Sequence, residues 1–256
     1  MSPLWPKKLS AGLFPGHCWI GDAVHADAVA DERQDAQDPE ALLASFDSLL
    51  LAQTAMLAKG GDVTLVVSDS VAMIATLPWR DALLAQDEVN AYARICFEQQ
   101  GIDMDERWVM HAAFLTFRGA GLAYALPRQW LDKLVSLLGA RGLRLARVLP
   151  LSALAYSRQC RFPSSGQAVI LLREAERASA LVYDKTGLRG IDAEALVGNA
   201  ELSGARLLRR IGIHHPDIRT VWDWPVSMSV PVAVPDYIAT CLPAAVVHPV
   251  PRHTWG

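Results

Sequence analysis

Residues 63–101, VTLVVSDSVAMIATLPWRDALLAQDEVNAYARICFEQQG, read as three structural words in one order. Two β-rich runs, 63–67 and 71–77, are joined at Ser68-Asp69-Ser70, which predicts a hairpin. Leu77-Pro78-Trp79 closes the second run, and a long amphipathic helix is expected over 80–100. Leu83, Leu84, Val89, Tyr92, Ala93, Cys96 and Phe97 trace its apolar face, with Gly101 placed to cap its end.

Outward from this stretch, the preceding helix is expected over 40–58. Asp38 suits its cap, Pro39 its first turn and Glu40 its positive end. Before it lie two short strands, 18–21 and 24–29, turning at Gly21-Asp22, and a polar connector over 31–38. Residues 1–16, punctuated by Pro and Gly, read as an extended arm. Downstream, 108–117 and 121–125 form a second hairpin around Arg118-Gly119-Ala120, followed by a helix over 127–139. A strand over 143–148 and a helix over 150–159 complete the first unit. After Pro163 the pattern restarts with strands at 168–172, 178–183 and 188–191, a helix at 194–211 and a strand at 219–224. Trp222 and Trp224 share one face of that strand by its period of two. Beyond Pro225 the prolines predict an extended tail with at most one helical turn, at 235–241. The expected units are therefore an arm (1–16), a first half (17–162), an abbreviated second half (163–225) and a Pro-rich tail (226–256). The restart suggests a duplicated architecture.

At 256 residues, 52% hydrophobic and 20% charged, the chain has ample material for a core, and wholesale disorder is excluded. The net charge of −3 and the scatter of the basic residues argue against nucleic acid. The four cysteines form no CxxC pair and fit a reducing compartment. Lys7-Lys8 and the apolar residues after them are broken by Pro15-Gly16-His17 too early for a signal peptide. No run approaches the ~18–20 apolar residues of a membrane helix. The expected location is the cytoplasm.

No enzyme motif is present. Lys185-Thr186 follows Asp184 rather than the glycine of a phosphate loop, and Gly119-Ala120-Gly121 lacks a third glycine. Ser164-Ser165-Gly166 reads as a linker rather than a nucleophile elbow. Cys18 and Cys96 read as buried thiols. His17, Cys18, Asp22, His25 and Asp27 invite a metal reading, but alternation along a strand sends half of them to the opposite face. His214-His215 precede Pro216 in a polar loop, and His248 and His253 read as solvated tail residues. Asp87, Glu88, Asp103, Asp105 and Glu106 read as surface carboxylates. Trp79, Trp108, Trp130, Trp222 and Trp224 read as core. The expectation is no catalytic, cofactor or metal residue, with the partner interface unassigned.

The matching words are 63–79, VTLVVSDSVAMIATLPW; 87–102, DEVNAYARICFEQQGI; 120–134, AGLAYALPRQWLDKL; and 142–154, GLRLARVLPLSAL. In this order they resemble the cytoplasmic actin-like domain of type II secretion GspL proteins and, more distantly, the type IV pilus protein PilM. The likeness covers about residues 60–160; the second half agrees in its order of elements. The resemblance implies an α/β chain with the actin-like ATPase (ribonuclease H-like) fold, built from two related halves. It places phosphate turns at Ile20-Gly21-Asp22-Ala23 and at Arg173-Glu174-Ala175-Glu176-Arg177. The first has glycine and aspartate in the wrong order. The second lacks glycine and adds carboxylates. Pro225 stands where a Gly-Gly pair would admit adenosine. The implied function is a non-catalytic scaffold without cofactor, linking a secretion or pilus assembly ATPase to inner-membrane proteins and peripheral to that membrane. The alternative is a divergent nucleotide-binding enzyme of the actin or sugar-kinase fold, with Asp22 as its phosphate-side carboxylate.

Overall fold

Runs of buried residues on consecutive strands, with helices between, build two sheets to one plan. In a computed structural model, residues 8–21, 26–29 (backbone only), 38–53, 61–83, 85–226 and 233–251 are described. The chain runs β1 (Lys8–Phe14), β2 (His17–Gly21), β3 (Ala26–Val29), α1 (Pro39–Ala52) and β4 (Asp62–Val67). A 3₁₀ turn, Asp69–Val71, leads into β5 (Met73–Leu77), α2 (Gln86–Gln99), β6 (Trp108–Ala113), β7 (Gly121–Pro127) and α3 (Arg128–Ala140). Then come β8 (Arg144–Pro150) and α4 (Leu151–Ser157). The second half runs β9 (Gln167–Arg173), β10 (Arg177–Asp184), β11 (Gly187–Ala195), α5 (Ala200–His214), β12 (Ile218–Pro225), α6 (Asp236–Cys241) and β13 (Val246–Pro249).

The first sheet has the order β3-β2-β1-β4-β8 and the second β11-β10-β9-β12-β13. In each, three antiparallel strands are followed by two parallel ones. Strand for strand, β1 answers to β9, β2 to β10, β4 to β12 and β8 to β13. A small antiparallel sheet, β5-β7-β6, is inserted between β4 and α3 and packs on α2 through Leu77, Ala93, Phe97 and Ala123. One apolar core runs through both halves, from Phe14, Phe46, Leu65 and Leu138 to Leu151, Ile170 and Trp224.

The helices begin where their local chemistry favours it. Asp38 caps α1 by accepting from Glu40 N at 2.9 Å, with Pro39 in the first turn. Glu88 accepts from Ala85 N at 2.9 Å, so α2 starts near Gln86, later than the expected residue 80. Asn199 caps α5 by accepting from Glu201 N and Leu202 N, and β11 extends to Ala195, so the expected start at 194 moves downstream.

Three expectations are corrected. The runs at 63–67 and 71–77 are not a hairpin: β4 lies between β1 and β8, and β5 pairs with β7 in the small sheet. Ser68 Oγ accepts from Ser70 N at 3.1 Å, and the resulting 3₁₀ turn hands the chain from one sheet to the other. Residues 8–14 are no arm but β1, the middle strand of the first sheet, with Leu9, Ala11 and Leu13 in the core. A Cβ at Gly12 would lie 2.0 Å from Trp19 Nε1, so glycine is what lets the cross-strand indole lie over β1. Pro15-Gly16 is its hairpin turn, with Gly16 at φ +68°. The expected tail contains α6 and β13, because Ile238 and Leu242 bury against α5 and β13 continues the parallel sheet beside β12. Residues 227–232 and 252–256 of that tail lie outside the described residues.

Candidate functional site at the junction of the two halves

Strand ends that converge from two sheets bring polar residues together, and here β4, the β9–β10 turn and α4 meet. Asp69 leaves β4 in the 3₁₀ turn and is fully buried; Glu174 sits in the β9–β10 turn at 1% exposure. Asp69 N donates to Glu174 Oε1 at 3.2 Å. Ser152, in the first turn of α4, donates twice to Asp69: N to Oδ1 at 2.9 Å and Oγ to Oδ2 at 2.5 Å. Glu174 N is itself occupied, donating to the Arg177 carbonyl at 2.9 Å.

Two buried carboxyls this close do not both ionise. Burial first, and the charge of Asp69 second, push Glu174 up to about 8. Burial also raises Asp69, against the two Ser152 bonds and the charge of Arg177. The charge therefore rests on Asp69, where two donors meet it, and near neutrality Glu174 holds the proton.

Beside this pair opens a cleft of about 620 Å³ between the end of β9, Leu196, the start of α5 and the segment 233–237. A bidentate ion pair stands at its edge: Arg173 Nε and Nη2 to Asp223 Oδ1 and Oδ2 at 2.6 and 2.8 Å, both residues buried. Burial raises the Asp223 carboxyl and Arg173 opposes the rise. Arg173 is thus committed within the protein, and Glu201 and Asp236 supply negative potential around the cleft. A bound polyphosphate needs free amides and cations. This junction offers two carboxyls, an amide already bonded and one guanidinium, Arg177, whose charge already acts on both carboxyls.

In sheet topology the first-half counterpart of the β9–β10 turn is Pro15-Gly16 between β1 and β2, not the expected Ile20-Gly21-Asp22-Ala23. The expected turn falls between β2 and β3, with residues 22–25 outside the described residues. The second expected turn, Arg173 to Arg177, is the β9–β10 turn at the junction.

The other sequence candidates scatter. His17 and Cys18 are adjacent on β2, Asp22 and His25 are outside the described residues, and among the described residues no three His, Cys, Asp or Glu side chains cluster for a metal. Cys96 is buried in α2 against the small sheet. Asp105 pairs with Arg107 at 2.6 Å and is held below its ordinary range first by the Arg107 amide. His248 corrects the solvated reading: it stacks on Trp222 at 4.6 Å. Trp222 and Trp224 do share a face and meet Phe162. His253 lies outside the described residues. Sequence reasoning missed Asp69 and Ser152. Their only signal is a small polar residue at each parallel strand's carboxyl end, where α/β sheets gather ligands or internal polar contacts.

Two searches in sequence find nothing: no family model matches, and no curated protein matches. Comparison of the fold does find similar structures. The solved PilM–PilN type IV pilus biogenesis complex superposes with a TM-score of 0.64 at 13% identity, covering 94% of this chain and 88% of that one. A Bacteroides thetaiotaomicron protein of unknown function with an actin-like ATPase fold gives 0.63 at 7% identity, covering 94% and 90%. This chain has the actin-like ATPase fold. A third neighbour is the cytoplasmic domain of EpsL, an inner-membrane component of the Vibrio cholerae type II secretion system. It gives 0.50 at 14% identity, covering 88% and 85%. Among the described residues no helix is long and apolar enough to cross a membrane.

Proposed function

We propose that this chain is a non-catalytic assembly protein of a type II secretion or type IV pilus-like machine, working in the cytoplasm against the inner membrane. It docks an assembly ATPase or a membrane-anchored partner and turns over no nucleotide. One observation carries the reading: the junction where phosphate would have to sit is filled by the Asp69–Glu174 contact. Opening it would expose two carboxyls to a polyanion. Kinship of fold with pilus and secretion proteins supports the choice of machine.

Calorimetric titration with Mg-ATP tests the catalytic half of the proposal. No heat at millimolar nucleotide is expected, whereas micromolar binding would sink it. Affinity capture with the tagged chain tests the other half; recovery of no secretion or pilus component would remove it. The cleft beside Arg173 favours one second reading, a divergent nucleotide-binding enzyme. ATP turnover that disappears in Asp69→Asn would establish that reading in place of the first.

A further inference from the structure

A second, smaller concavity lies on the face of the first sheet next to α4, away from the junction carboxyls. It measures about 150 Å³. Its polar side is formed by Ser10 of β1, Thr64 of β4, Arg147 of β8 and Arg158 just past α4. Register brings Thr64 directly opposite Arg147, and Ser10 opposite Thr64, so three neighbouring strands present these side chains in one row. Its apolar side is formed by Trp19, Val66, Leu149 and Leu154.

Charge in this row is unbalanced. Arg141, Arg144, Arg173 and Arg210 each meet a carboxylate, but among the described residues no acid pairs with Arg147, and the Ser10 and Thr64 hydroxyls have no protein partner. The remaining hydroxyl, Ser157 Oγ, donates to the Leu154 carbonyl at 2.7 Å. The charge of Arg147 also reaches His111, which is held below its ordinary range first by burial and then by that guanidinium. This occurs on a chain whose net charge is −3, so it is a local feature rather than a basic surface.

A small anion with an aliphatic stem fits both sides of the pocket. A guanidinium fork and two hydroxyls suit a carboxylate, and the indole and aliphatic wall suits the methylenes that carry it. A bare phosphate would leave that wall against water. We propose that the Ser10–Thr64–Arg147 pocket binds the side-chain carboxylate of a glutamate presented by a partner polypeptide. This rests on the docking role proposed above and names the chemistry of the partner's anchoring residue.

The test is ¹H–¹⁵N NMR titration of the full chain with three probes: acetyl-Ala-Glu-Ala-amide, acetyl-Ala-Gln-Ala-amide and inorganic phosphate. The glutamate peptide is expected to shift the Ser10 and Thr64 amides and the Arg147 Nε–H signal. The glutamine peptide should bind at least tenfold more weakly. Arg147→Ala should weaken glutamate binding at least tenfold, and Arg147→Lys by less, with the spectrum otherwise unchanged.

Four results would overturn the proposal: no shifts with millimolar glutamate peptide, equal binding of the glutamine peptide, indifference to Arg147→Ala, or tighter binding of phosphate than of glutamate. Each leaves the docking role standing if affinity capture still succeeds. Failed capture with normal glutamate binding would remove the docking role alone.

Discussion

Asp69 shows how one residue couples two halves of a chain. Its carboxylate holds α4 through Ser152 while its amide holds the β9–β10 turn through Glu174. Asp69→Ala strands two buried donors of Ser152, and a loss of about 1–3 kcal/mol is expected in urea unfolding. Glu174 adds a pH dependence. Its folded-state value is raised, so the folded chain binds the proton more tightly than the unfolded one. Stability should therefore fall as pH rises from about 4.3 towards about 8. Glu174→Gln keeps an acceptor for Asp69 N and removes one titration, so its melting temperature should fall less over that window than the wild type's, with the raised Asp69 and Asp223 carboxyls still contributing. A wild-type melting temperature that does not fall there would contradict the assignment. At the cleft, Asp223→Ala leaves Arg173 buried without its counter-charge, and about 3–5 kcal/mol should be lost.

Between elements, one contact sensitive to size lies in the loop after β6. Ala120 N donates to Leu188 O at 3.0 Å, tying this loop to the second half. A Cβ on Gly119 would come within 2.6 Å of the Thr186 carbonyl oxygen, a backbone atom that cannot swing aside. Gly119→Ala should cost about 1–3 kcal/mol and raise hydrogen exchange at Ala120; unchanged exchange would refute the coupling. Element types were largely legible because period-two and period-3.6 patterns are local. The three strands after Pro163 and the helix after Pro127 follow from them. Pairing partners were not legible. Ser68-Asp69-Ser70 has the composition of a hairpin turn, but β4 pairs with strands more than fifty residues away on either side, and parallel partners leave no local mark. The site failed for the same reason. Asp69, Ser152 and Glu174 are separated by 83 and 105 residues from Asp69, so only the folded topology unites them. The Arg173–Arg177 turn was placed through resemblance, and its first-half counterpart was missed because Pro15-Gly16 reads as loop punctuation.

At the scale of the molecule, the duplicated strand order means each half needs its last parallel strand. β13 and α6 supply it for the second half, with Ile238 fully buried. Deleting 226–256 should therefore abolish the cooperative melt rather than trim a tail; a truncated chain that melts like the full one would disprove this. The two parallel edges have a further consequence. β13 is four residues long and ends on Pro249, and β8 ends on Pro150 with Arg144 and Arg147 exposed along it. Proline donates no ladder hydrogen bond, and charge on an edge repels an incoming copy. The same arginine that faces the small pocket thus also guards the rim of the first sheet, so neutralising it should make the chain more prone to stack into fibrils on prolonged incubation.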